Sequence, residues 1–365
     1  MQSPLNPEPA LPSILAAFST YEVVGINAGH DDKDIDDFIL ALIRDPSLPD
    51  KVNDIVVECG NSLYQPVLDR YIAGEQISFT DVEKVWRNTT QPMCGLSAFY
   101  EQLFPLVRAI NQALPVGHRL RVIAADPPVD WSLIHEQKDF SPFADRDRSI
   151  ASVMEREVLS KHRKALMLFG IFHLLHGSGP GNGDAVTQYE RKYPNSTFVV
   201  SDLGYFGTDP NDATKISFAN WPNPSLIRTR GTLLGSLTLD SFLPTPISTD
   251  EQCNVIDPFK AKPGLVVADL IDAFLYLGPQ TLRLREALPA DIALDTPYMS
   301  ELLRRNAIVG LPGPKSLVQF DQQTIASATS PLLTIERLPD AREFYPMIRQ
   351  LCIERKKKAN VSAPN

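Results

Sequence analysis

The chain has 365 residues, of which 43% are hydrophobic and 22% are charged. This is close to average globular usage and excludes wholesale disorder. Its 35 basic and 44 acidic residues give a formal charge of −9, and since an acidic surface repels phosphate groups, general binding to nucleic acid or to an anionic membrane is disfavoured.

The predicted elements alternate between short apolar strands and helices. Residues 1–17 are rich in proline and are predicted to form an extended arm. The predicted strands are 21–26, 54–60, 120–126, 165–170 and 197–201, and the predicted helices are 63–72, 80–86, 98–114, 145–160, 185–192, 297–306 and 339–355. This alternation predicts an α/β fold, with a mostly parallel central sheet covered by helices on both faces.

The rest of the chain is less regular. We expect one α/β domain over 18–355, with an irregular insertion at 205–262, a less regular C-terminal part and a basic tail at 356–365. No apolar run approaches the ~18 residues of a membrane-spanning helix. The chain start lacks the basic region of a signal peptide, although a removed signal would leave the same pattern. A soluble protein, cytoplasmic by default, is the expectation.

The cysteines give little guidance. Cys59, Cys94, Cys253 and Cys352 form no C-x-x-C pair and have no zinc-ligand spacing. A chain of this size does not need a disulfide framework, and none is signalled. Cys59 would be either a nucleophile or, as buried strand cysteines usually are, inert packing.

Polar residues follow four of the predicted strands. The first strand leads to His30, the second to Glu58 and Asn61, the third to Asp126, and the fourth to His173 and His176. In open α/β sheets ligands gather at the carboxyl ends of the strands, so these side chains are the candidate site.

The first two candidates have both chemical and structural interpretations. His30 could take a proton from water, because imidazole titrates near neutral pH; the alternative is a turn or helix-capping histidine. Glu58 follows apolar strand residues, so its carboxylate must be paired. It would orient an imidazole, bind a metal, or form an ion pair with Arg146 or Arg148.

The motif His173-x-x-His176 would place two imidazoles on one side of a helical turn. They could bind a metal or donate hydrogen bonds to an oxyanion, or one could be packed and the other exposed. The glycine-rich loop at 177–183 lacks a P-loop ending and is interpreted as a mobile rim. The aspartates between positions 31 and 37 lack calcium-loop spacing and are predicted to form a solvated helix start.

Three blocks together resemble the erythromycin esterase-like superfamily, which is distantly similar to Tiki-type hydrolases. Residues 23–30 resemble the family's strand ending in Gly-Glu-x-x-His, and Glu58 follows at the end of the next strand. Residues 146–151 are similar to its Arg-Asp-x-x-Met-Ala helix start, and His173-x-x-His176 resembles its His-x-x-His. The blocks lie within residues 21–177, about half of the chain, and residues 269–279 resemble a block of uncharacterised bacterial relatives.

The resemblance implies ester hydrolysis without a covalent enzyme intermediate. It implies that His30 is the base, with Glu58 as its carboxylate partner, and that His173 and His176 polarise the substrate. Arg146 would be structural or would pair with a carboxylate.

The sequence departs from the family at one position. The family glutamate three residues before the histidine is Asn27 here, which can form hydrogen bonds but cannot hold a negative charge. In a Tiki-type alignment the position falls on Ala28, which is not a carboxylate either. Asp31 or Asp32 would have to compensate.

Three hypotheses remain open. The first is a hydrolase of this esterase-like type, in which a general base activates water to attack an ester or related bond. The second is a catalytically impaired or inactive small-molecule-binding protein on the same scaffold. The third is a metal-dependent hydrolase. Asn27, Asn61, Asp126 and Arg146 are the candidate substrate-binding residues; no cofactor is expected, with a divalent metal as the alternative, and the partner is a small-molecule substrate. The sequence does not fix the oligomeric state.

Overall fold

The computed structural model describes residues 4–28, 32–177, 183–205, 214–238, 248–249, 252–256, 265–279, 282–286, 288–289 and 292–310, together with 346, 349–350, 352–354 and 356. His30 lies outside the described residues. Most residues of the glycine-rich loop, of the predicted helix at 339–355 and of the basic tail also lie outside them. Among the described helices, none has the combination of length and apolar character needed to cross a bilayer.

The centre of the fold is an eight-stranded sheet. Its strands are β1 (Glu8–Pro9), β2 (Val23–Asn27), β3 (Asp54–Asn61), β4 (Arg121–Asp126), β5 (Ala165–Phe169), β6 (Thr197–Asp202), β7 (Ser225–Arg228) and β10 (Ala273–Tyr276). Their order across the sheet is β1-β7-β10-β6-β2-β5-β3-β4. The six strands from β10 to β4 are parallel, whereas β7 and β1 are antiparallel to their neighbours. The strands β8 (Ser248–Thr249) and β9 (Val255–Ile256) form a separate antiparallel pair. The predicted mostly parallel sheet is confirmed.

Helices cover both faces of this sheet, as predicted. They are α1 (Ala10–Ala17), α2 (Lys33–Arg44), α3 (Gln65–Ile72), α4 (Phe79–Arg87), α5 (Ala98–Ala113), α6 (Gln137–Phe140), α7 (Arg146–Glu157), α8 (Ala185–Glu190) and α9 (Thr296–Val309). Buried side chains of α1 to α5 form one core cluster with one sheet face, and those of α7 and α8 form a second cluster with the other face. Because both faces are covered, the central strands are apolar at successive positions.

The prediction of an extended arm is wrong for its second half. Residues 10–17 form a helix rather than part of an extended arm, and Ile14 is fully buried in the core. Pro12 does not prevent this, since it lies in the first turn, where its missing N–H costs no intrahelical hydrogen bond. The region predicted as irregular, 205–262, contributes strand β7 to the sheet.

The sequence signals no disulfide framework, but the structure has two disulfides. Cys59 bonds to Cys94 and Cys253 bonds to Cys352, so none of the four cysteines is free. The partners are 35 and 99 residues apart in the sequence, so no local spacing could signal them. Cys59 is therefore not a free nucleophile.

The strand order places a crevice at the carboxyl ends of the central strands. From β2 the chain moves outward to β3 and β4, returns to β5 beside β2, and then crosses to β6 on the other side of β2. Ligands of open α/β sheets bind where the direction of strand succession reverses. The carboxyl ends of β2, β5 and β6 are therefore the expected place for a site.

Candidate functional site

Four of the predicted site residues meet at this edge of the sheet. Glu58 lies near the end of β3, and Asp126 is the last residue of β4. Arg146 is the first residue of α7, and His173 ends the short 3-10 turn Ile171–His173 that follows β5. We call these four residues the Glu58 cluster.

Arg146 is the central cation of the Glu58 cluster. Its Nε lies 2.7 Å from Asp126 Oδ1, and its Nη2 lies 3.0 Å from Glu58 Oε1. Asp126 is fully buried, and it also accepts hydrogen bonds from the backbone N–H and hydroxyl of Thr90. The ion pair that the sequence left as an alternative for Glu58 is thus present, and it involves Arg146 rather than the exposed Arg148.

A glycine lets the Glu58 carboxylate lie across the end of β5. The N–H of Gly170 donates to Glu58 Oε2 over 2.5 Å. A Cβ at this position would lie 3.2 Å from the same oxygen, which is tight for any residue other than glycine. The carboxylate is therefore fixed at the edge of the sheet by the backbone as well as by Arg146.

His173 is held between two carboxylates. Its Nδ1 lies 2.7 Å from Asp147 Oδ1, and its Nε2 lies 3.4 Å from Glu58 Oε1 and 3.2 Å from Arg146 Nη1. Because Nδ1 donates to Asp147 in either protonation state, Nε2 carries the proton that titrates. That nitrogen faces Glu58 and Arg146.

The electrostatics of the site favour a charged His173. Burial opposes the charged ring, but the carboxylates of Glu58 and Asp147 outweigh it and raise the pKa of His173 to about 9. The charged form of His173 is therefore favoured at neutral pH, and a charged imidazole donates a proton rather than accepting one.

Asp147 is a site residue that sequence reasoning missed. Its Oδ1 also accepts a hydrogen bond from the N–H of Ala185, over 2.9 Å, at the start of α8. It therefore joins α7, α8 and His173. Its position directly after Arg146 in the resembling block was the available signal.

Asn27 has unused hydrogen-bonding capacity. It is the last residue of β2, lies beside Phe169 of β5 and is 1% exposed. A Cβ on Gly25 would meet Leu174, so position 27, two residues further, faces the same side of the sheet as the turn that carries His173. Neither amide atom of Asn27 has a hydrogen-bond partner among the described residues.

Asn61 is not part of the Glu58 cluster. The side chain of Asn61 donates to the carbonyls of Asn88 and Val129 and accepts from the N–H of Leu63. Since Asn61 is fully buried, it positions loops and has little capacity left for a substrate.

His176 lies with a different set of carboxylates. Its Nδ1 is 2.8 Å from Glu190, and its Nε2 is 2.9 Å from Asp272. These carboxylates also accept from the N–H groups of Thr197 and Val199, in the amino-terminal half of β6. The expected pairing of His173 with His176 is not observed, because the 3-10 turn ends at His173 and no helical turn places His176 on the same side.

A second charged cluster was not predicted. Arg283 is 2% exposed and contacts Asp32, Asp34 and Asp202. Asp32 also caps α2 by accepting from two backbone N–H groups, so it is not free to compensate for Asn27. The predicted solvated helix start is wrong for Asp32 and Asp36, which are 3% and 6% exposed.

The described side chains do not fit a metal ion. No group of three or more His, Cys, Asp or Glu residues in the described part of the chain is arranged to hold one. In both charged clusters a guanidinium group, from Arg146 or Arg283, already neutralises the carboxylates.

No family model and no curated protein sequence matches the chain. Two solved structures are similar to it. A protein from Bacillus cereus is 11% identical, with a TM-score of 0.47, over 75% of this chain and 94% of that chain. ChaN of Campylobacter jejuni, described for its cofacial heme binding, is 12% identical, with a TM-score of 0.33, over 52% of this chain and 84% of that chain. At these levels neither similarity identifies a function.

Proposed function

We propose that this protein is a hydrolase of esterase-like type, acting at the carboxyl edge of the sheet. The observation that carries the proposal is the position of His173. Its ring is oriented by a hydrogen bond to Asp147, and its titrating nitrogen faces Glu58 and Arg146. A cationic donor of this kind stabilises the negative charge that develops on a carbonyl oxygen under attack.

We propose different roles for two parts of the site. His173 is protonated at neutral pH, so a separate base must activate the water. We propose His30 as this base; in the sequence it follows the last residue of β2 by three positions. In the proposed reaction the water oxygen attacks the carbonyl carbon while His30 takes its proton. The bond to the alkoxy oxygen then breaks, His30 returns the proton to that oxygen, and the carboxylic acid and the alcohol leave.

Glu58 supports His173 rather than acting as a nucleophile. Its carboxylate is 4% exposed, and its two oxygens face Arg146, His173 and the Gly170 N–H. A carboxylate so enclosed is poorly placed to attack a substrate, but it favours the charged form of the neighbouring imidazole.

A second candidate function rests on Asn27. Where the family resemblance expects a carboxylate, the chain has a buried neutral amide without a partner among the described residues. Such an amide suits a ligand with both donor and acceptor groups. This observation favours a binding protein on the same scaffold.

A panel of aryl esters distinguishes the two candidates. We expect slow hydrolysis by the unmodified protein and a loss of about 10²-fold or more in His30→Ala, since a general base typically contributes ~10²–10⁴-fold. His118→Gln is the control, because His118 is exposed and pairs only with exposed Asp50. Binding of an ester without turnover would support the binding protein instead, whereas equal rates for the unmodified protein and His30→Ala would show that His30 is not the base.

A further inference from the structure

A cavity lies beyond the carboxyl ends of β3 and β4. Its volume is about 520 Å³, and its walls come from the turn Ser62–Tyr64, the loop after β4 and α9. The segment 88–90 separates it from the Glu58 cluster, since Thr90 contacts Asp126 whereas Asn88 lines the cavity. We propose that this cavity binds a small, uncharged, polyhydroxylated ligand of the sugar type.

The charges around the cavity cancel. Arg304 and Arg305 of α9 both pair with Glu301, and Asp130 lies on another wall. Two cations and two carboxylates give a net charge of zero, and His135 at the same wall adds charge only when protonated. The balance favours neither an anion nor a cation, so the ligand it fits is neutral.

The wall groups retain both donor and acceptor capacity. Arg305 donates through Nε to Glu301 and through Nη1 to the carbonyl of Arg87, which leaves Nη2 without a hydrogen bond in the described part of the chain. Within the described residues, only Oδ1 of Asp130 accepts hydrogen bonds, and both come from Ser132.

Asn88 and Tyr64 add a second set of such groups. The side-chain N–H of Asn88 donates to the Tyr64 hydroxyl over 3.0 Å. This leaves the Asn88 amide oxygen as an acceptor and the Tyr64 hydroxyl hydrogen as a donor. A hydroxyl group is both donor and acceptor, so a ligand bearing several of them matches this mixture.

The cavity is formed before any ligand enters. Arg304 donates to the carbonyls of Trp131 and Ile134, which ties α9 to the loop after β4. The guanidinium of Arg305 lies 5.1 Å from the centre of the Trp131 ring, and its side chain is 7% exposed. A wall fixed in this way loses little conformational entropy on binding, which favours a weakly interacting neutral ligand.

The test is a titration of the full chain with glucose, galactose, mannose, N-acetylglucosamine and cellobiose, followed by saturation-transfer NMR and tryptophan fluorescence. We expect saturable binding of at least one sugar, weakened about tenfold or more in Asp130→Asn, which removes a charged acceptor without changing its shape. Asp50→Asn, at an exposed carboxylate far from the cavity walls, is the matched control.

Three outcomes would overturn this proposal. One is that no sugar of the panel binds. The second is that Asp130→Asn and Asp50→Asn bind sugar equally well. The third is that acetate or tetramethylammonium binds more tightly than every sugar, which would show that the cavity selects charge. None of these outcomes bears on hydrolysis at the Glu58 cluster.

Discussion

The carboxylate of Asp147 lies 2.7 Å from Nδ1 of His173 and so determines which nitrogen of that ring titrates. The two residues are 26 positions apart, and the contact joins the start of α7 to the turn after β5. Together with Glu58, this contact raises the pKa of His173 to about 9 against the effect of burial.

Replacing Asp147 by asparagine tests this relationship. We expect Asp147→Asn to lower the pKa of His173, because the substitution removes one of the two carboxylates that favour the charged ring. NMR titration of the His173 ring protons measures the pKa directly, independently of any activity. An unchanged titration midpoint would show that Glu58 alone sustains the shift; Asp50→Asn is the control.

We expect His176 to make the fold less stable as the pH rises into the alkaline range. Burial opposes the charged ring, but Asp272 and Glu190 raise the pKa of His176 to about 9 from 6.5. A pKa raised in the folded state gives stability that is fully present below about pH 6.5 and is lost as the pH rises through about 9. Its size is roughly 3 kcal/mol at most.

Urea unfolding at several pH values measures this effect. We expect the free energy of unfolding to fall between pH 6.5 and 9.5, and the fall to be smaller in His176→Gln. Since His173 titrates over the same range, part of the decline should remain in the variant. A variant with the same pH dependence as the unmodified protein would contradict the account of His176.

Removing Arg283 should destabilise the fold strongly. Arg283→Ala leaves the carboxylates of Asp32 and Asp202 buried without their cation, and breaking a buried pair in this way costs about 3–5 kcal/mol. Arg70→Ala, which breaks an exposed pair with Glu75, should cost less than about 1 kcal/mol. Urea unfolding of the two variants compares these costs, and similar values would show that the buried cluster is no more important than a surface pair.

The buried disulfide beside Glu58 should support the site as well as the fold. Cys59 directly follows Glu58, and Cys94 lies in the 3-10 turn Pro92–Leu96. Replacing both cysteines by alanine is expected to cost about 2–4 kcal/mol in the free energy of unfolding. It should also lower the proposed esterase activity, because the end of β3 loses its covalent link to the turn Pro92–Leu96.

The second disulfide is the control for this effect. The double alanine variant at Cys253 and Cys352 should keep the proposed esterase activity, because this disulfide joins segments other than those that carry the Glu58 cluster. Equal losses of activity in the two double variants would show that disulfides affect the site only through general stability.

Much of the fold could be predicted from the sequence, because buried parallel strands are apolar at successive positions. The prediction failed where an element depends on its neighbours. Strand β7 is short and lies in a polar region, and its pairing with β10 stabilises it. Helix α1 was not predicted because the segment is rich in proline, but the one proline inside the helix, Pro12, lies in its first turn, where it is compatible with a helix.

The candidate site was partly predictable for the same reason. Polar residues that end neighbouring parallel strands meet at one edge, and this rule brought Glu58 and Asp126 together. It could not identify Arg283, whose partners Asp202 and Asp32 are 81 and 251 residues away. It also misplaced His176, because the i, i+3 spacing indicates a shared side only where the backbone is helical.

The proposed hydrolysis depends on His173 and not on His176, the similar histidine three residues later. The most direct measurement compares kcat/KM for the best aryl ester among the unmodified protein, His173→Gln and His176→Gln, at a temperature where all three are folded. We expect a fall of about 10²–10³-fold for His173→Gln, the usual cost of removing an oxyanion donor, and little change for His176→Gln. An unchanged rate in His173→Gln, or equal falls in both variants, would contradict the account.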